Sequence, residues 1–98
     1  MAWMYILECS DGSFYVGSTL DLELRVAAHN LGLGANYTKR RLPVRCVFAD
    51  EFERVEDAFE REKQVQNWSR AKRIALIEGR YGDLNALGRK PKRQPDIG

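Results

Sequence analysis

The chain is 98 residues long, 44% apolar and 31% charged, which is the size and make-up of one small folded domain and excludes a disordered or membrane-embedded chain. Sixteen Lys and Arg against fourteen Asp and Glu leave a net charge of +2, too small a balance to indicate a nucleic-acid partner by itself. That charge is uneven: residues 88–98 hold Arg89, Lys90, Lys92 and Arg93 against Asp96, a net +3, so residues 1–87 carry −1.

Residues 1–10 show neither the basic start nor the small-residue cleavage pattern of a secretory signal. No apolar run approaches the roughly 20 residues of a membrane span. The expected location is therefore cytoplasmic, with no membrane contact. Trp3 to Cys9 is rich in aromatic and aliphatic residues and reads as a strand. Ser10-Asp11-Gly12 is a turn, and Ser13 to Thr19 a second strand. A three-residue hairpin loop with Gly12 in the left-handed conformation sets Cys9 opposite Ser13. Tyr5 then faces Gly17, Leu7 faces Tyr15, and both tyrosines share one face of the sheet. A two-residue Asp-Gly turn would place them on opposite faces; the three-residue loop is the expectation.

Asp21 is a good N-cap, and Gly32 or Gly34 a good stop, for a helix of about ten residues. On it Leu22 and Val26, and likewise Arg25 and His29, are i,i+4 neighbours. Gly32 to Arg41 reads as a loop or short turn, and Pro43 opens a third strand running to about Phe52. Glu53 to Trp68 has helical periodicity, with Val55, Ala58, Phe59 and Val65 as its apolar stripe and Glu62 inside that stripe. Ser69 caps a further short helix holding Ala71, Ile74, Ala75 and Ile77, ended by Gly79. Cys9 and Cys46 read as buried free thiols in strands, and with a single His they are too few for a structural zinc site. The order strand-strand-helix-strand-helix-helix predicts an α+β domain, a small three-stranded antiparallel sheet flanked by helices. Residues 1–87 are expected to form the domain and residues 88–98 a flexible basic tail.

Several side chains have both a structural and a chemical reading. Glu62 among apolar neighbours is costly unless paired; it either meets a cationic side chain or binds a divalent cation through oxygen. Arg25 and His29 form either a solvated face or an anion site, since a guanidinium offers a planar fork of donors. Tyr5 and Tyr15 are either core aromatics or working hydroxyls, and a base role needs a nearby cation to lower the phenol from about 10. Lys39, Arg40, Arg41, Arg70, Lys72 and Arg73 are either solvated surface or phosphate contacts.

Trp3-Met4-Tyr5 followed by Tyr15-Val16-Gly17 resembles the paired tripeptides of the GIY-YIG nuclease superfamily. The likeness continues through Asp21, Arg25 and His29-Asn30, then Gly34-Ala35-Asn36-Tyr37-Thr38 and Pro43. It ends with Glu60-Arg61-Glu62-Lys63 and Trp68-Ser69-Arg70-Ala71-Lys72. It covers about residues 3–78 and is similar to the small stand-alone bacterial members. The resemblance implies hydrolysis of DNA phosphodiesters with one divalent ion, Mg²⁺ or Mn²⁺, in DNA repair or processing. It implies Glu62 as the metal ligand, Arg25 on the scissile phosphate, Tyr15 as activator or base for a water, Tyr5 positioning that water or the metal's water shell, and His29 and Tyr37 in support. Trp3 stands where the first tripeptide has glycine. Ser18 stands where some larger members have lysine, and Asn67 and Asn85 are the candidates for their late asparagine. The rival reading is a non-catalytic module of the same fold that binds nucleic acid or docks on a partner protein. Targeting by a partner protein is compatible with both readings.

Overall fold

The computed structural model describes residues 1–84. Strands β1 (Ala2–Glu8), β2 (Phe14–Thr19) and β3 (Arg45–Phe52) form one sheet of order β2-β1-β3, antiparallel throughout. The α+β class and the three-stranded antiparallel sheet are as predicted. The hairpin is the three-residue form: Cys9 N donates to Ser13 O at 2.8 Å, and Gly12 has φ +84°. Its register sets Tyr5 opposite Gly17 and Leu7 opposite Tyr15, so the two tyrosines do share a face.

β1 is the central strand and is buried on both sides. One face carries Tyr5 and Leu7, which pack with Cys9, Val44, Tyr15, Leu22 and Val26. Helix α1 (Leu22–Asn30) supplies the last two, and Asp21 caps it by accepting from Leu24 N at 3.1 Å. Gly32, at φ +80°, follows its C-terminal end. Helix α3 (Val55–Gln66) packs on β1 and β2, and its buried residues are Ala58, Glu62 and Val65.

Four expectations change. Residues 32–41 contain a one-turn helix, α2 (Asn36–Lys39), which no apolar periodicity announces because it spans a single turn. β3 starts at Arg45 and not at Pro43. Val55 and Phe59 are exposed, at 54% and 51%, although the periodicity puts them in the stripe. Small Ala58 occupies the inward position instead; Val55 sits in the first turn beside a shallow hollow shared with Ala2 and Ser18, and the Lys63 ammonium lies 4.7 Å from the Phe59 ring. Finally, Cys9 is buried at the end of the hairpin, but Cys46 is exposed. β3 is an edge strand, and Val47 is left unpaired between Ile6–Phe48 and Leu7–Cys46, a bulge that interrupts the ladder beside the thiol.

The chain divides into two compact units, Met1–Gln66 and a second beginning at Asn67. In the second, Ser69 caps helix α4 (Arg70–Ile77) by accepting from Lys72 N at 3.1 Å, Gly79 at φ +76° follows its end, and a 3-10 turn spans Tyr81–Asp83. The expected boundary at residue 87, the basic tail 88–98 and Asn85 lie outside the described residues. Among the described residues no helix is long and apolar enough to cross a membrane.

Candidate active site

Tyr5 and Tyr15 lie side by side because Gly17 has no side chain between them. A Cβ there would stand 2.6 Å from the Tyr5 hydroxyl and 3.1 Å from the Tyr15 ring. His29, on the inner side of α1, hydrogen-bonds the Tyr5 hydroxyl through Nε2 at 3.0 Å and Thr38 Oγ1 through Nδ1 at 2.8 Å. Its imidazole lies 5.3 Å, centroid to centroid, from the Tyr15 ring. Gly34 lies so close to the imidazole that a Cβ there would collide with it. Tyr5 and His29 are 1% and 0% exposed, and the Tyr5 hydroxyl is one of the two groups that the imidazole hydrogen-bonds.

Arg25 sits one turn before His29. Its guanidinium faces the Tyr5 hydroxyl, and its charge is felt by Tyr5, Tyr15 and His29 alike. Among the described residues it makes no ion pair.

Glu62 approaches from α3, on the other side of the sheet. Its Oε1 accepts from Ser18 Oγ at 2.6 Å, its Oε2 accepts from Gln66 Nε2 at 2.7 Å, and Lys63 Nζ stands 3.7 Å from Oε2. Gln66 Nε2 also donates to the Val16 carbonyl on edge strand β2 at 3.1 Å. The carboxylate is thus oriented by two neutral donors at the β2 edge. Ser18 and Gln66 were not singled out as site residues from sequence. The i,i+4 spacing of Glu62 and Gln66 is a signal that was present, whereas Ser18 is 44 residues from Glu62 and only the folded chain pairs them.

Electrostatics tie these groups into one cluster. Burial pushes both phenols above their ordinary value, the Glu62 charge adds to that, and Arg25 opposes it. Burial, with Arg25 beside it, pushes His29 down. The imidazole is therefore neutral in the folded state, while in the unfolded chain it gains a proton near pH 6.5. The unfolded state binds more protons below that pH, so stability is full above about 6.5 and falls as the pH drops toward the lower folded value, by up to about 1.4 kcal/mol per pH unit. His29 is the one histidine in the chain. Urea unfolding between pH 7 and pH 5 is expected to show this slope, and a flat profile would refute a buried neutral His29.

Tyr37 stacks on Tyr15, centroids 6.2 Å apart and planes 26° from parallel. The Arg41 guanidinium lies 3.9 Å from the centre of the Tyr37 ring; its Nη1 donates to Tyr37 O at 2.8 Å and its Nε pairs with Asp11 at 3.0 Å. Arg41 thus ties α2 to the hairpin turn, while Lys39 and Arg40 are exposed. Arg70, Lys72 and Arg73 lie on α4 in the second unit, where the Lys72 ammonium stands 4.0 Å from the centre of the Trp68 ring. An apolar groove lined by Trp3, Leu20, Leu22, Val26, Ala27 and Cys46 includes none of the clustered polar residues.

The family model of the GIY-YIG catalytic domain matches residues 1–75. The chain belongs to the GIY-YIG family. It is similar to a UPF0213 protein of Staphylococcus aureus, 42% identical over 78 residues that cover 80% of this chain and 95% of that one. It is also similar to UPF0213 protein SSP2268 of Staphylococcus saprophyticus, 43% identical over 76% of this chain and 92% of that one. The solution structure of UPF0213 protein BH0048 from Bacillus halodurans matches with a TM-score of 0.52 and 42% identity, covering 80% of this chain and 84% of that one. The GIY-YIG match spans both tyrosines, Arg25 and Glu62, so this cluster lies inside the part of the chain that defines the family.

Proposed function

We propose that this GIY-YIG protein is a divalent-metal-dependent endonuclease that hydrolyses DNA phosphodiester bonds. The observation that carries the reading is a cluster in which Tyr5 and Tyr15 lie side by side with Arg25 beside Tyr5, and the Glu62 carboxylate, held by Ser18 and Gln66, is near enough for its charge to act on both phenols. Among the described residues no group of three or more His, Cys, Asp or Glu forms a closed ion cage. One carboxylate, held by the neutral donors of Ser18 and Gln66 with the Lys63 ammonium 3.7 Å from Oε2, is the kind of oxygen ligand taken by Mg²⁺ or Mn²⁺, which keep several waters and take one or two carboxylates plus substrate phosphate. Glu62 would hold the ion, which when bound would supply Lewis-acid stabilisation of the phosphoryl and leaving-group oxygens.

The chain's own residues divide the remaining work. The Arg25 fork binds the scissile phosphate and stabilises its developing charge. Tyr5, held from behind by His29, orients the attacking water. The Tyr15 hydroxyl takes up a proton from that water only once its own is lost. Burial and the Glu62 charge oppose that loss, while Arg25 and a positive counter-charge at Glu62 favour it. Tyr37 supports Tyr15 by stacking. Lys39, Arg40 and, from the second unit, Arg70, Lys72 and Arg73 are proposed DNA-backbone contacts; Arg41 joins them only as far as its bond to Asp11 allows.

One feature favours the non-catalytic reading: burial holds both phenols above their ordinary range, which works against a base role. Incubation with nicked, branched, single-stranded and duplex DNA separates the two. The nuclease reading expects cleavage with Mg²⁺ or Mn²⁺ and none with chelator. Salt-sensitive binding without cleavage of any of these DNAs would support the binding module instead.

A further inference from the structure

We propose that Thr38 is a positioning residue for Tyr5: by accepting the His29 Nδ1 proton it fixes the imidazole as the Nδ1–H tautomer, which makes Nε2 the acceptor that holds the Tyr5 hydroxyl proton. Thr38 and His29 are both 0% exposed, so neither has water to fall back on. A neutral imidazole carries one donor and one acceptor nitrogen, and the bond at one nitrogen decides the role of the other.

The assignment follows from both ends of the chain of bonds. At the inner end, Thr38 Oγ1 donates its proton to the Ala35 carbonyl at 3.0 Å, so it offers a lone pair to Nδ1, 2.8 Å away. At the outer end, the Arg25 guanidinium facing the Tyr5 oxygen has only donors and cannot accept the phenol proton. Nε2, at 3.0 Å, is the acceptor within reach. Protons therefore run from Tyr5 to His29 to Thr38 to Ala35. Gly34 closes on the ring so tightly that a Cβ there would strike Nδ1, Cε1 and Cγ, which limits the room for the ring to turn over. The one-turn helix α2 is what brings Thr38 and Ala35 to this spot.

The consequence is a polarity for Tyr5. With its proton committed inward, its oxygen presents lone pairs to the space beside Arg25 and acts there as an acceptor. On the nuclease reading, on which this consequence rests, the group it accepts from is the attacking water. Replacing Thr38 with Val removes the acceptor and leaves an Nδ1–H buried without a partner, which is unfavourable. The ring then favours Nε2–H, which donates to the Tyr5 oxygen and turns the phenol proton outward.

The test reads the tautomer directly and needs no activity. Long-range ¹H–¹⁵N correlation spectra of the full ¹⁵N-labelled chain report its single histidine. The expected result is the Nδ1–H tautomer in the wild type and in Thr38→Ser, and the Nε2–H tautomer in Thr38→Val. An Nε2–H wild type, or a folded Thr38→Val that keeps Nδ1–H, would overturn the proposal. If Thr38→Val fails to fold, the wild-type and Thr38→Ser spectra still decide it. In cleavage assays Thr38→Val is expected to lower kcat with KM unchanged, and Thr38→Ser to restore it. The Nδ1–H tautomer in a protein that cleaves no DNA would uphold this arrangement while removing the nuclease reading.

Discussion

Glu62→Gln is expected to lower metal-dependent DNA cleavage by about 10²–10³-fold or more, and to remove Mn²⁺ binding as measured by calorimetry. Glutamine has nearly the same shape, so the packing of α3 on the sheet is retained. What goes is the negative charge, and with it the balance of donors. Ser18 Oγ and Gln66 Nε2 both donate to the carboxylate in the native site, and a carboxamide can satisfy them with one oxygen only. Tyr5 and Tyr15 lose a charge that adds to the upward push of burial on their phenols, so in the metal-free variant both titrate lower than in the metal-free wild type. That shift is readable by ultraviolet titration and separates an electrostatic effect from loss of fold. Cleavage by Glu62→Gln at the wild-type rate would dismiss the metal-ligand role.

Arg25→Ala is expected to have an effect of similar size, about 10²–10³ in rate, for a different reason. Arg25 is a half-buried guanidinium that makes no ion pair among the described residues, so its removal takes away the charge an incoming phosphate would meet. Arg25→Lys is expected to recover only part of the rate, because an ammonium lacks the planar fork and places its charge elsewhere. Without Arg25, Tyr5 and Tyr15 titrate higher, since its charge is what lowers them. Single-turnover cleavage with saturating enzyme isolates the chemical step. Equal single-turnover rates for wild type and Arg25→Ala would leave Arg25 a binding residue at most.

Much of the site is legible from local sequence where the geometry is local. The three-residue turn dictates which residues face each other across β1 and β2, so the pairing of Tyr5 with Gly17 follows from Ser10-Asp11-Gly12 alone. The i,i+4 spacing of Arg25 and His29 puts both on one side of α1 once Asp21 is recognised as its cap. Glu62 stands out because a carboxylate interrupts an apolar stripe. The resemblance to GIY-YIG nucleases rests on the same residues, and the family match over residues 1–75 agrees with it.

Other features have no local signature. α2 is a single turn whose role is set by where Thr38 and Ala35 end up, nine and six residues beyond His29. Ser18 and Glu62 lie 44 residues apart, on two elements that meet only when α3 packs on β2. Periodicity cannot tell that Ala58 will face the sheet while Phe59 turns outward, because residues at +3 and +4 from Val55 flank the same helical direction. Nor can it tell that Cys46 lies exposed on an edge strand beside a bulge.

By itself, then, the sequence determined the register of β1 with β2, the caps of α1 and α4, the class of fold and the family, because each of these depends on short-range turn chemistry, spacing or ordered motifs. Only the tertiary structure decided that the tyrosine face and the Arg25 face come together around His29, that Ser18 and Gln66 hold the Glu62 carboxylate at the β2 edge, and that its charge reaches both phenols. The reason is physical: a hydrogen bond between distant residues is made only when packing brings two buried polar groups together, and burial then obliges them to find each other.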